Sequence, residues 1–218
     1  MLKRCMMFLI PLLLSSCAAD LWKEVPDFEV FNFTCPVPGS KFLDNSNFVS
    51  SWSVLGPLDP GKEPSLHTEL LQDEGILSGN RNAPRKSRWY RVIASSNEEE
   101  TVFGLVDFGS KFAGHPRAGK RSVFYGCATL KCDGDHKGLI MNLTRYGQLK
   151  VWINGKIVYA GESLPGGKAE TVQVRDLELF KGCNRMVVKY MDDVGQGPFR
   201  RIFSLRFTDA AGNFSAVR

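Results

Sequence analysis

The apolar residues of this chain fall in short runs that are rich in β-branched and aromatic side chains. Glycine, proline, asparagine and serine separate the runs, and no long stretch repeats convincingly at the spacing of an amphipathic helix. Strands are predicted at 48–55, 88–94, 100–107, 122–131, 137–143, 149–159 (as a hairpin), 170–179, 184–190 and 203–208. Short strands at this spacing predict an all-β sandwich or barrel.

The remaining segments carry weaker patterns. Residues 21–33 alternate weakly and predict either an edge strand or an irregular arm. Residues 59–82 and 108–119 are rich in turn formers and predict loops, the first with a short helical turn near 66–71.

The clearest single element is the segment 149–159, in which Asn154-Gly155 separates two β-rich runs. This pair accepts the positive φ angles of a type I′ turn, so the two runs are predicted to pair antiparallel. The opposed pairs expected from such a turn are Ile153 with Lys156, Trp152 with Ile157, Val151 with Val158, and Lys150 with Tyr159. Both faces are largely apolar, which favours a strand pair buried inside a two-sheet sandwich.

The start of the chain has the pattern of an export signal. Lys3 and Arg4 precede an apolar run at 6–14, and small residues follow at Ser15 and Ser16. Spanning a bilayer takes about 20 apolar residues, so this run is too short for a transmembrane helix. An export signal over residues 1–16 is therefore predicted.

The segment 14–17, Leu-Ser-Ser-Cys, resembles the cleavage site of bacterial lipoproteins. The resemblance implies that Cys17 becomes the lipid-carrying N-terminus and anchors the protein in the cell envelope. Ala18 at the following position implies the outer membrane. An ordinary secretory signal with a chance cysteine is the alternative. The predicted organisation is a signal peptide at 1–16, an N-terminal extension at 17–47 and one β-sandwich domain at 48–218.

The net charge argues against a nucleic-acid partner. Removal of residues 1–16 takes away Lys3 and Arg4 and no acid, so the formal charge falls from +5 to +3. A basic cluster at 81–91 is followed by the acidic run 98–100, which offsets its field. This part of the chain predicts a solvated charged loop, with an anionic partner as the alternative.

Four cysteines remain after Cys5 is removed and Cys17 is lipidated, namely Cys35, Cys127, Cys132 and Cys183. Cys127 and Cys132 belong to one predicted strand, where five residues span about 17 Å, far beyond the limit of about 7 Å between the Cα atoms of a disulfide. These two are predicted not to pair with each other. Longer-range disulfides and buried thiols both stay open.

Sequence signals of catalysis are weak. His67, His115 and His136 lie in predicted loops without a second histidine at ligand spacing, and neither a Gly-x-Ser-x-Gly elbow nor a phosphate-binding loop is present. A non-catalytic protein without a cofactor or a metal centre is predicted. The segment 133–135, Asp-Gly-Asp, is predicted to be a plain turn, with a structural calcium as the alternative.

Several segments resemble exported bacterial modules with the galactose-binding-domain-like jelly-roll fold. They are 52–57, 123–128, the hairpin 149–159, the Lys-Gly turn within 179–185, and the closing strand 203–207. The resemblance implies an antiparallel jelly-roll β-sandwich and a role in binding carbohydrate. The chain departs from the family pattern before the hairpin, where many relatives place acidic residues, and at Cys183, where an aromatic is common.

Aromatic side chains are the candidates for stacking on a sugar ring. Tyr146 lies in a predicted turn, and Arg145 and Gln148 beside it carry hydrogen-bonding groups suited to hydroxyls. Trp89 and Trp152 are further ligand-binding candidates, with packing in the sandwich core as the alternative for both.

Two functions follow from these patterns. The first is a non-catalytic surface or periplasmic lipoprotein that binds a glycan and is attached to the membrane through its lipid. The alternative is a structural module that docks an exported enzyme or another envelope protein and binds no sugar.

Overall fold

A computed structural model describes residues 30–32, 48–49, 51–62, 65–71, 73–75, 77, 89–97, 102–117, 120–132, 134–162, 169–192 and 201–211. The predicted signal peptide, Cys17, Cys35 and most of the 17–47 extension lie outside these residues. No helix in the described part is long and apolar enough to cross a membrane.

The described residues form twelve strands and one short helix. The elements are β1 (Val30–Asn32), β2 (Ser51–Leu58), β3 (Trp89–Ile93), β4 (Ser95–Asn97), β5 (Val102–Asp107), α1 (Phe108–Lys111), β6 (Val123–Cys132), β7 (His136–Arg145), β8 (Gln148–Ile153), β9 (Lys156–Gly161), β10 (Glu170–Leu179), β11 (Gly182–Met191) and β12 (Ile202–Thr208).

The strands form two sheets. The first sheet has the order β3-β2-β6-β11-β8-β9, and the second has the order β10-β7-β12-β5-β4. Neighbouring strands run antiparallel, except that β1 pairs parallel with the end of β6, beyond the part that β2 covers. The predicted all-β fold, built as a two-sheet antiparallel sandwich, is confirmed.

The main core lies between the two sheets. Side chains alternate along each strand, so that Phe124, Ala128 and Leu130 of β6 point into it. Trp52 meets Phe203 of the other sheet edge to face, with ring centroids 5.3 Å apart. This interface removes a large apolar surface from water, which is the main stabilising contribution in a sandwich of this size.

A second apolar layer covers the outer face of the first sheet. Leu66, Leu71 and Leu77, from the segment 65–77, pack on the side chains of β6, β8 and β11 that point away from the main core. The contact is close, because a Cβ added at Gly75 would lie 2.6 Å from Trp152 Cδ1. The segment 65–77 contains a hydrogen-bonded turn in which Thr68 N donates to Ser65 O over 3.1 Å, at the place where a helical turn was predicted.

The hairpin differs from its prediction in two respects. Asn154 and Gly155 have φ angles of 51° and 82°, as the predicted turn requires, and the first two opposed pairs are confirmed. A bulge then places Val151 opposite Tyr159 and shifts every later pair by one residue, so the predicted pairs of Val151 and Lys150 are wrong. The prediction that the hairpin is buried is confirmed for β8. It is wrong for β9, which is the exposed edge of the sheet.

Two further boundaries differ from the predictions. Strand β2 continues through Gly56-Pro57, where a stop was predicted, because a register shift between Leu55 and Leu58 absorbs the irregular backbone. Helix α1 lies in a predicted loop, and it begins where the Asp107 carboxylate accepts the Ser110 N–H over 3.0 Å. The short strand β4 was not predicted.

The cysteine prediction is confirmed where the structure describes it. Cys127 and Cys132 both lie on β6 and carry thiols, as does Cys183. Burial raises the pKa of the Cys127 thiol to about 12, so the reactive thiolate form is suppressed.

Candidate functional site

Arg145, predicted as a ligand-binding residue, is 3% exposed and has an internal role. Its guanidinium donates to the carbonyl oxygens of Gly147, Gly161 and Glu162 over 2.7, 3.1 and 2.5 Å. It also forms an ion pair with Glu170, at 2.5 Å from Nη2 to Oε2. These contacts fasten the turn after β7 to the end of β9 and the start of β10.

The other loop residues surround this arginine. Gln148 is buried at the start of β8, and Tyr146 is half-buried in the turn. The turn is tight, because a Cβ at Gly147 would lie 2.5 Å from Tyr190 Oη. The predicted trio is therefore adjacent in space, but two of its three members are inside the protein.

The two tryptophans belong to the second apolar layer. Trp152 is 4% exposed and packs under the segment 65–77, with Lys150 Nζ 4.8 Å from its ring centroid. Trp89 is half-buried and packs against the same layer. Both side chains pack in the apolar interior, which the sequence analysis gave as the alternative to ligand binding.

A different surface gathers polar groups toward solvent. It is the outer side of β10, β7 and β12, where alternate residues point away from the core while Met141, Val174 and Phe207 point into it. We call this surface the polar face; it consists of Ile140, Asn142, Gln173, Arg175, Arg206 and Thr208. The register places Gln173 and Arg206 on either side of Asn142.

Hydrogen bonds connect the polar face across three strands. Arg175 Nη2 donates to Gln173 Oε1 over 2.7 Å, and Gln173 Nε2 donates to Asn142 Oδ1 over 3.0 Å. Asn142 Nδ2 then donates to Thr208 Oγ1 over 3.1 Å. The ladder fixes the orientation of two amides, which limits the entropy that a ligand would have to remove on binding.

A β-bulge interrupts β10 after Val174. The register shifts by one residue between Val174 and Leu177, and Asp176 takes a positive φ of 59°. Without the extra residue, Asp176 rather than Leu177 would point into the core. The bulge therefore keeps Leu177 in the core, whereas Arg175 points outward with Gln173 by the ordinary alternation of the strand.

The polar face lines a groove of about 300 Å³. Its walls offer amide donors and acceptors and two guanidinium groups, with the exposed residues Ala210 and Ala211 as apolar surface, whereas Ile140 and Thr208 are 5% and 4% exposed. Such a set suits a ligand with several hydroxyls. This surface was not singled out from the sequence, although the polar residues that alternate with apolar ones at 142–144 and 171–175 were an available signal.

A wider hollow of about 640 Å³ lies between β3 and α1. Arg91, Ile93, Asp107 and Lys111 are among its lining residues. Asp107 is already used as the cap of α1, since its carboxylate accepts the N–H and the hydroxyl of Ser110. The Asp107 carboxylate is thus engaged at the helix start, in contrast to the side chains of the ladder on the polar face.

A buried polar cluster lies under the segment 65–77. Glu74 accepts hydrogen bonds from Lys189 Nζ over 2.9 Å and from the Tyr125 hydroxyl, and Lys189 also donates to the Thr68 carbonyl. Burial lowers the pKa of Lys189, and the Glu74 carboxylate opposes that shift. Burial, followed by the Glu74 charge, raises the pKa of Tyr125. The polar groups of this cluster form hydrogen bonds with one another, and the cluster has no opening toward the polar face.

A second buried acid, Asp192, lies at the end of β11 and contacts the residues that precede β6 and β12. The Asp192 carboxylate lies 2.8 Å from Arg201 Nη2 and accepts the Ser122 N–H over 3.1 Å. Burial raises the pKa of Asp192 to about 6, against the opposing effect of Arg201. No group of three or more metal-ligating side chains occurs among the residues that the structure describes. Asp133, from the possible calcium turn, lies outside them.

No family model matches the chain, and no curated protein matches it. Among solved structures, it is similar to a β-glucosidase from Kluyveromyces marxianus. The selenomethionine-labelled form matches with 13% identity over 73% of this chain and 16% of that chain, at a TM-score of 0.40. The complex with glucose matches with 16% identity over 73% of this chain and 15% of that chain, at a TM-score of 0.33. The chain thus spans about a sixth of the enzyme's length.

Proposed function

We propose that this protein is a non-catalytic glycan-binding module whose ligand lies on the polar face. The hydrogen-bonded ladder from Arg175 through Gln173 and Asn142 to Thr208 is the observation that carries the proposal. The antiparallel sandwich is also compatible with the galactose-binding-domain-like jelly roll that the sequence resembles. In this proposal the ligand binds on the outer face of the second sheet, and the loop around Tyr146 does not belong to the binding surface.

The chemistry of the ladder suits sugar hydroxyls. A hydroxyl both donates and accepts, and each side-chain amide offers two donors and a carbonyl acceptor. Because Gln173 and Asn142 already hold each other in place, their remaining groups face the groove in a fixed pattern. Recognition here rests on hydrogen bonds more than on ring stacking, since two alanines supply the apolar contact.

Binding should depend on the two amides. We expect Asn142→Ala and Gln173→Ala each to weaken glycan binding by about tenfold or more, since a lost partner leaves a polar group unsatisfied at about 1–3 kcal/mol. The measurement is a glycan and polysaccharide array with the full-length protein in mild detergent, followed by titration of each positive ligand. Thermal unfolding checks that each variant is folded.

Two matched variants locate the site. Thr144→Val removes a hydroxyl on the same side of β7, bonded to Thr171 over 3.0 Å, and it should leave binding unchanged. Tyr146→Ala tests the loop predicted from sequence. Loss of binding in Tyr146→Ala alone would move the site to that loop, and an array with no positive glycan would favour the protein-docking alternative.

We also propose that the module is a lipoprotein of the cell envelope, anchored through Cys17. The support is the pattern of residues 1–17, in which a basic start, a short apolar run and Leu-Ser-Ser precede the cysteine. In a bacterial host, Cys17→Ser should release the protein from the membrane fraction, whereas Cys183→Ser should leave it bound. Retention of Cys17→Ser in the membrane would contradict the anchor.

A further inference from the structure

We propose that the glycan bound on the polar face is acidic, and that Arg175 selects its carboxylate or sulfate group. This inference rests on the proposed function and names its ligand class. It starts from the composition of the groove. The described residues that line it include two guanidinium groups, those of Arg175 and Arg206, and no aspartate or glutamate.

Arg175 is placed to meet a ligand. Its side chain is exposed, and its contact with Gln173 uses one of the five N–H donors of a guanidinium. The alternation of β10 points the residue outward at the end of the ladder. A planar guanidinium in this position matches the two oxygens of a carboxylate or sulfate, with shorter and stronger hydrogen bonds than a neutral donor makes.

Arg206 adds a second positive charge on the opposite side of the groove. It lies on β12, with its guanidinium 5.5 Å from the Phe48 ring centroid. Strands β10 and β12 flank β7, so their backbones are about 10 Å apart at the usual spacing of strands. The two charges therefore bracket Asn142 and Gln173, and both favour an anion between them.

The amides between the arginines distinguish an acidic sugar from a bare anion. A free sulfate needs the guanidinium but has no hydroxyl donors for the Asn142 and Gln173 acceptors. An acidic sugar residue meets both requirements, with its anionic group on Arg175 and its hydroxyls on the ladder. Affinity for such a ligand should fall as salt rises, because the groove is exposed and its charges are screened.

The test compares each acidic polymer with a neutral polymer of the same sugar backbone. Full-length protein in mild detergent is titrated with polygalacturonate and with its fully methyl-esterified form, and separately with dextran sulfate and dextran. We expect one acidic polymer to bind at least about tenfold more tightly than its neutral partner, a ratio in the range that one charge-assisted contact supplies. Arg175→Gln should abolish most of that ratio, because it weakens binding of the acidic polymer far more than binding of the neutral one. Arg91→Gln, on β3, is the matched control and should change neither.

The outcomes separate this inference from the proposed function. Preference for polygalacturonate identifies a carboxylate ligand, and preference for dextran sulfate identifies a sulfate. Equal binding of acidic and neutral polymers, lost in Asn142→Ala, would overturn the acidic ligand and keep the glycan site. An acidic preference that survives both Arg175→Gln and Arg206→Gln would also overturn it. If inorganic sulfate competed with the acidic polymer as strongly as a second sample of that polymer does, the requirement for a sugar would be overturned. Absence of binding to every one of these polymers would overturn both proposals.

Discussion

Glu74→Ala should lower the free energy of unfolding by about 3–5 kcal/mol, the usual cost of breaking a buried ion pair from one side. Lys189 is fully buried, and its ammonium would lose its carboxylate partner, which lies 2.9 Å away. The Tyr125 hydroxyl and the Leu70 N–H would lose their acceptor as well. Urea unfolding followed by tryptophan fluorescence at neutral pH measures the effect.

The control for this prediction is an exposed contact between the same segment and the residue that follows β9. His67 Nε2 lies 2.6 Å from Glu162 Oε1, and both side chains are 61% exposed. Because exposed pairs contribute less than about 1 kcal/mol, Glu162→Gln should have a small effect. A loss of similar size in Glu74→Ala and Glu162→Gln would show that the segment 65–77 does not bury the Glu74–Lys189 pair in solution.

A double replacement separates the charge from the shape of the cluster. Glu74→Leu with Lys189→Met removes both charges and fills the site with apolar side chains of similar length. A buried pair exchanged for apolar residues in this way is often neutral or stabilising. The double variant should therefore be more stable than Glu74→Ala. If it is less stable, the contacts of Glu74 and Lys189 with Tyr125 and Thr68 outweigh the cost of burying the charges.

Arg145→Met should be the second strongly destabilising change, with an expected loss of about 2–5 kcal/mol. The substitution removes the donors for the carbonyls of Gly147, Gly161 and Glu162 and the partner of Glu170. Arg145→Lys should rescue little, because one ammonium cannot replace both the Nη1 contacts with the three carbonyls and the paired Nε and Nη2 contacts with Glu170. Urea unfolding and thermal melting measure both variants.

The control is an arginine with the same charge on the surface. Arg175→Gln removes an exposed guanidinium that contacts Gln173 and should change stability by no more than about 0.5 kcal/mol. Arg145→Met with wild-type stability and lost glycan binding would give Arg145 the ligand role predicted from sequence and move the site away from the polar face.

The candidate site shows where sequence reasoning stops. Tyr146 and its neighbours were predicted because an aromatic with polar residues in a turn is expected to be exposed. Arg145 is instead buried by the start of β10, which lies 25 positions further along the chain at Glu170. The polar face is the opposite case, because its residues were not predicted from the sequence as a site. Asn142, Gln173 and Thr208 lie far apart in the sequence, and only the pairing of β7 with β10 and β12 brings them together.

The sequence by itself determined the all-β class, most strand positions, the type I′ turn at Asn154-Gly155 and the separation of Cys127 from Cys132. These features depend on local backbone geometry, namely the two-residue period of a strand, the φ angles that a turn requires and the rise per residue. Only the tertiary structure decided that β8 is buried by the segment 65–77 and that a bulge shifts the hairpin register. Those features depend on contacts between residues far apart in the chain, whose free energy outweighs local preference and leaves no periodic signal along the sequence.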